Sequence, residues 1–197
     1  MSLIGFCRAR LRRLRAALLI GLALLIAATP HAVAGPTPSA EYQLKAAFLY
    51  KLSQFVEWPD RAFVEPTAPL IIGVLGDDPF GAYLDDLVRE EKIGLRPLTV
   101  RRYKSTEDAI GCHILFVCRS ESGGLEKIIA QLKGRTLLTV SDAETFLRLG
   151  GMVRFATENG KIRLKINVEA AKAAELTVSS KILSPATIAT AGELSKP

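Results

Sequence analysis

Hydrophobic positions along this chain switch repeatedly between a helical period and short continuous runs. Leu44, Phe48, Leu52, Phe55 and Val56 recur at helical spacing, which predicts a helix over 40–57 capped by Ser39. It should stop before Trp58-Pro59, because a residue preceding proline is pushed out of the α region. Leu70–Leu75 (LIIGVL) is an unbroken apolar run, the pattern of a strand covered on both faces. Gly76-Asp77-Asp78-Pro79 follows, with Asp78 placed to cap a helix that starts at Pro79 and runs to about Glu91. Leu98–Tyr103 alternates as a second strand, and a short helix near Glu107 leads to a third strand over 113–117. Leu125, Ile128, Ile129 and Leu132 mark one face of a helix that Gly134 ends, and Thr136–Val140 reads as a fourth strand.

The last third changes character. Met152–Thr157 and Lys161–Val168 flank Glu158-Asn159-Gly160, and Asn-Gly is the strongest short signal for a type I′ hairpin turn. A two-residue turn sets Phe155 opposite Leu164 and Val153 opposite Ile166, all facing inward. The other face carries Arg154, Arg163 and Lys165, with Arg154 opposite Lys165, so acid or open solvent should lie there. An Ala-rich helix over 169–176 and a polar tail over 190–197 complete the chain. The predicted fold is a three-layer α/β sandwich. Its sheet is mostly parallel, with helices on both faces and a C-terminal antiparallel hairpin. One domain over 40–189 accounts for the apolar faces, after a short lead-in at 35–39.

Charge redirects the picture. The whole chain has 197 residues and a net charge of +6, which on its own points towards nucleic acid. Residues 1–34, however, read as a secretory signal peptide. Arg8, Arg10, Arg12, Arg13 and Arg15 precede an apolar core over 16–28, and Ala32-Val33-Ala34 is a small-x-small cleavage site. At about 1.5 Å per residue this core spans ~20 Å, short of the ~30 Å of bilayer hydrocarbon. Five of the 26 basic residues and none of the 20 acidic ones fall in this segment, leaving 21 against 20, a net +1. The nucleic-acid expectation falls away. Export from near Gly35 into an oxidising compartment, the periplasm, replaces it.

Candidate chemistry is sparse. Cys112 and Cys118 flank the HILFV strand, whose ~3.3 Å rise per residue holds their Cα atoms about 20 Å apart, beyond the ~7 Å a disulfide tolerates. They read either as two small buried thiols or as redox-sensitive groups at the strand ends. His113 adjoins Cys112, but neighbouring strand residues point to opposite faces, so no nucleophile–base pair follows. One histidine outside the leader and two separated cysteines do not make a metal set, and no G-x-S-x-G elbow occurs. Gly73-x-x-Gly76 lacks the rest of a phosphate loop. Gly76, Asp77 and Asp78 nonetheless lie at the carboxyl end of a strand, where open α/β sheets bind ligands, and two acids there favour a cationic or neutral one. Asp142 and Glu144 follow the fourth strand and read as turn and cap residues or as a carboxylate pair at that same end. Trp58, beside Glu57 and Pro59, is either core edge or a binding anchor.

Six stretches together resemble one family: EYQLKAAFLYKLSQFVEWP (41–59), IGVLGDDPF (72–80), CHILF (112–116), LTVSD (138–142), GGMVRF with KIRLKIN (150–167), and SSKIL (179–183). In this order they are similar to the YfiR-like family. The resemblance implies an exported α/β protein without catalytic activity or cofactor. It implies a periplasmic repressor that binds the periplasmic part of an inner-membrane sensor, a diguanylate cyclase or a histidine kinase, and lowers cyclic di-GMP and biofilm formation. It also implies homodimers and stabilising disulfides, although this chain carries only Cys112 and Cys118 for the latter. The expected partner surface is Glu57, Trp58 and Pro59, with Arg154, Arg163 and Lys165 second. The competing expectation is a periplasmic small-molecule binding protein using Gly76, Asp77 and Asp78.

Overall fold

The computed structural model describes residues 38–183 and 187–189. Residues 1–34, read above as a signal peptide, most of the lead-in and the polar tail lie outside the described residues. Helix α1 (Ala40–Phe55) leads into β1 (Val56–Glu57), which pairs antiparallel with β9 (Thr177–Val178). The main sheet contains β2 (Leu70–Leu75), β3 (Lys92–Ile93), β4 (Arg96–Tyr103), β5 (Ile114–Val117), β6 (Leu138–Ser141), β7 (Val153–Glu158), β8 (Lys161–Ile166) and β10 (Thr187–Ile188). Its order is β10-β8-β7-β6-β5-β2-β4-β3, with β4, β2, β5, β6 and β7 mutually parallel.

Two cores sandwich the sheet. Alternate residues of β2 (Leu70, Ile72, Val74) and of β5 (Ile114, Phe116) join one core. Above them lie α1, α2 (Ala82–Val88), α4 (Val168–Ala173) and α5 (Ser180–Leu183). The intervening residues, Ile71, Leu75, Leu115 and Val117, join the other core beneath α3 (Leu125–Leu132) and the turn around Phe146. This is the three-layer α/β sandwich that the apolar runs predict. All six residues of β2 are buried, as are the four apolar positions of α3. The hairpin has the expected register, Phe155 opposite Leu164 and Arg154 opposite Lys165. Asn159 and Gly160 take φ of 51° and 71°, as a type I′ turn requires.

Several local expectations need correction. The buried face of α1 is Lys45, Ala46, Leu49, Leu52 and Ser53, and Leu44 is 46% exposed. The stripe is rotated because a lysine occupies its centre, a position that hydropathy alone reads as polar. Helix α2 starts at Ala82, after an Asx turn in which Asp78 Oδ1 accepts the Phe80 N–H at 2.7 Å, so Asp78 is not its N-cap. It ends at Val88 rather than near Glu91. The connection near Glu107 is a series of turns and not a helix. Helix α4 closes at Ala173, two residues before Glu175 adopts φ 60°.

Five aromatic rings tie α1 to the sheet. Tyr42 meets Phe80 edge-on at 5.7 Å between centroids, and Phe80 meets Phe116 edge-on at 4.9 Å. Phe116 stacks on Phe155 at 6.2 Å, and Phe155 tilts against Phe48 at 6.1 Å. The chain of rings therefore leaves α1 at Tyr42, crosses β5 and β7, and returns to α1 at Phe48.

Candidate functional site

The first turns of α1 carry a lysine into the core. Lys45 Nζ lies 2.6 Å from Asp142 Oδ2, and both side chains are only 1% exposed. Glu41, one helical turn earlier, approaches the same ammonium at 2.6 Å from a half-exposed position. The Tyr42 hydroxyl donates to Asp142 Oδ2 at 3.0 Å, and Arg119 Nε stands 3.3 Å from that oxygen. Lys45 also sits 4.3 Å from the centroid of the Tyr42 ring. Burial, reinforced by the Asp142 charge, pushes the Tyr42 phenol up to about 12, so it remains a donor. Asp142 Oδ1, by contrast, is buried without a hydrogen-bond partner in the protein. Nothing here pairs a nucleophile with a base. The cluster pins α1 across the carboxyl ends of β5 and β6. Glu144 is exposed and does not join Asp142.

The predicted ligand residues meet where the strand order reverses, between β2 and β5. Gly76 has φ +95°, and a Cβ there would stand 2.4 Å from Ser120 Oγ and 2.7 Å from Glu121 Oε1. Ser120 Oγ accepts the Asp77 N–H at 3.0 Å. Asp78 Oδ2 accepts from Arg102 Nε at 2.9 Å, and Arg102 also donates to both Asp85 oxygens and to the Gly81 carbonyl. Ser120 and Glu121 thus fill the crevice beside Gly76, and Arg102 neutralises Asp78. Asp77 alone stays exposed. Among the described residues no His, Cys, Asp and Glu group has the makings of a metal site.

Cys112 and Cys118 are both free and buried, in different cores on opposite faces of the sheet. Burial pushes each thiol up to about 12, helped at Cys118 by Asp78, Asp142, Glu121 and Asp77. At pH 8 the thiolate is then about one molecule in 10⁴. Both should resist Ellman's reagent in the native protein and react after denaturation. Rapid native labelling of either would contradict the packing.

The amino end of the sheet is built around His113. Its Nδ1 accepts the Ile71 N–H at 3.1 Å and its Nε2 faces the Ala62 carbonyl at 3.2 Å, so the proton is assigned to Nε2. Phe63 stacks on the imidazole at 4.4 Å, Trp58 meets it edge-on at 6.3 Å, and the Arg96 guanidinium covers Phe63 at 3.5 Å. Trp58 Nε1 donates to the His113 carbonyl at 3.2 Å. Trp58 and Pro59 are half-buried, and Glu57 is exposed. The same end of the sheet carries Val64, 100% exposed, Leu95, 75% exposed, and Ile110, 68% exposed. They lie on the connections entering β2, β4 and β5, which are neighbours in the sheet. A groove of about 470 Å³ runs past Ile110 between Ala62, Leu137 and Arg135. The sequence pattern does not single out Val64, Leu95 or Ile110, because isolated loop hydrophobics carry no periodicity.

The second predicted surface lies on the hairpin, across the sheet from this end. Lys165 pairs with Glu158 at 3.0 Å, which supplies the expected acid. Arg163 is exposed, and Arg154 is half-buried with Nε lacking a hydrogen-bond partner.

Among the described residues no helix is long and apolar enough to cross a membrane. No curated protein matches this sequence significantly. A family model described as YfiR/HmsC-like matches residues 42–187, from the tyrosine that bonds Asp142 to the strand at the hairpin edge of the sheet. That span contains one core whole and all but Ala189 of the other, with the buried ion pair and the His113 column, and it is well over half of the chain. The protein therefore belongs to the YfiR/HmsC-like family.

Proposed function

We propose that this protein is a periplasmic, non-enzymatic regulator that binds the periplasmic part of an inner-membrane sensor, a diguanylate cyclase, and represses cyclic di-GMP signalling. Membership in a family of regulators of that signalling supports the class. The observation that carries the binding reading is that Val64, Leu95 and Ile110 are exposed on the connections at the amino end of the sheet, the end where Trp58 meets His113. Large apolar side chains left exposed at one end of a sheet are the positions a partner would bury. Glu57 and Pro59 adjoin Trp58 in the chain, and the basic hairpin face of Arg154, Arg163 and Lys165 remains the second surface. The small-molecule reading at Gly76, Asp77 and Asp78 has less support, since Ser120, Glu121 and Arg102 already engage those residues.

The test is capture of the sensor's periplasmic domain by Val64→Asp and Leu95→Asp variants, with cyclic di-GMP measured in the matching strains. Placing a carboxylate in a desolvated contact should cost each variant about 2 kcal/mol, roughly thirtyfold in affinity, and cyclic di-GMP should rise. Both positions are exposed, so folding should be unaffected. Wild-type affinity in both variants would remove this surface from the reading. Absence of any sensor binding, with unchanged cyclic di-GMP in a deletion strain, would remove the reading itself.

A further inference from the structure

We propose that His113 is an acid-sensitive anchor. Neutral, it holds the 58–68 segment, and with it Trp58 and Val64 of the contact surface, against the sheet; protonated, it lets that segment go. This inference rests on the partner reading for its consequence, but not for its chemistry.

Both ring nitrogens are committed. Nδ1 can accept the buried Ile71 N–H only while it lacks a proton, and Nε2 needs its proton for the Ala62 carbonyl. A second proton would set two N–H groups against each other at 3.1 Å on a residue that is 4% exposed. The surrounding charges give no relief. Arg96, from β4, lies on the far face of Phe63 and adds positive potential. Arg61, in the turn that supplies the accepting carbonyl, is paired with Glu175. Asp60 and Glu65, on the clamped segment, are exposed, and neither carboxylate bonds to the ring. Cys112, the chain neighbour, is a buried neutral thiol. Burial accordingly holds the imidazole below its ordinary value of 6.5.

The segment has ties besides the ring nitrogens: Arg61 pairs with Glu175, and Trp58 and Phe63 pack against the core. Arg96 donates to the Glu65 and Ala68 carbonyls at 2.7 and 3.3 Å, and Trp58 donates to the His113 carbonyl at 3.2 Å. The Trp58 and Arg96 contacts gather at His113 and at Phe63, the ring stacked on it. The sign follows from the proton balance. The released form binds the proton at about 6.5 and the clamped form only lower, so the clamp is intact above pH 6.5. Below it, the released fraction grows by up to about tenfold per pH unit.

Trp58 is the only tryptophan in the chain and touches the ring, so two partner-free signals report on the anchor. The protein in its exported form is titrated from pH 8 to pH 4.5, following the His113 ring protons by NMR and Trp58 emission by fluorescence. The His113 resonances are identified by their loss in His113→Gln. A single midpoint below 6.5, shared by both signals and with Trp58 emission shifting to the red, is expected. The Gln amide can accept from Ile71 and donate to Ala62 without titrating, so Trp58 emission in His113→Gln should be flat. A His113 midpoint at or above 6.5, no titration down to pH 4.5, or Trp58 emission that ignores the His113 transition would each overturn the anchor. Sensor-domain binding is then measured at pH 7.5 and across the midpoint. Failure to bind at pH 7.5 with the shared midpoint intact rejects the partner reading alone. Binding that stays constant through the midpoint rejects the link between anchor and surface.

Discussion

Asp142→Ala should lose about 3–5 kcal/mol of stability in urea titration, because it strands the Lys45 ammonium in the core. Glu41 would remain near Lys45, but from a half-exposed position, and the Tyr42 hydroxyl would lose its acceptor. A buried ion pair is worth far less than the penalty for breaking it, since each charge first had to leave water. The double variant Lys45→Met with Asp142→Leu should therefore recover most of the loss, ending within about 2 kcal/mol of wild type. Unchanged m values would confirm that the cost lies in the folded state. A loss under 1 kcal/mol for Asp142→Ala would mean that water reaches Lys45, and the pinned first helix would have to be abandoned.

Phe116→Ala should cost about 3–5 kcal/mol as well, through a cavity rather than a charge. Phe116 is fully buried at the centre of the five rings and touches Phe80 on one side and Phe155 on the other. Removing it cuts the path that joins Tyr42 to Phe48. Phe116→Leu keeps most of the volume and should cost under half as much. Equal losses for Leu and Ala would indicate that ring geometry, not packed volume, sets the stability. Tyr42 belongs to both the ring chain and the ion pair. The Phe116→Ala and Asp142→Ala effects should consequently fail to add, by about 0.5 kcal/mol or more.

Which features the sequence discloses follows from the range of the interactions behind them. The LIIGVL run, the Leu125-Ile128-Ile129-Leu132 face and the Asn159-Gly160 turn are local patterns, and each appears in the structure as read. Register in the hairpin was legible because a two-residue turn leaves one pairing. Lys45 was not, because its burial depends on a carboxylate 97 positions away. Its spacing with Leu49 and Leu52 is the one signal that could have shown it. Asp142 reads as a turn residue for the same reason. Helix α2 starts at Ala82 rather than at Pro79 because Gly81, at φ 53°, breaks the helical backbone after the Asp78 turn. Trp58 emerges at the edge of the core, joined to His113 by contacts that no sequence spacing encodes.

The placement of α1 also sets an order of events. This helix leaves the ribosome early, yet its lysine waits for residue 142, and the strand that follows it waits for Thr177–Val178. Contacts that close such long loops form late and slow the chain. A nascent chain that stops short of Asp142 has no place to put a charged lysine and should stay open to protease. The first of the described elements to be synthesised is thus among the last to be locked, and the chain remains pliable until nearly all of it has emerged.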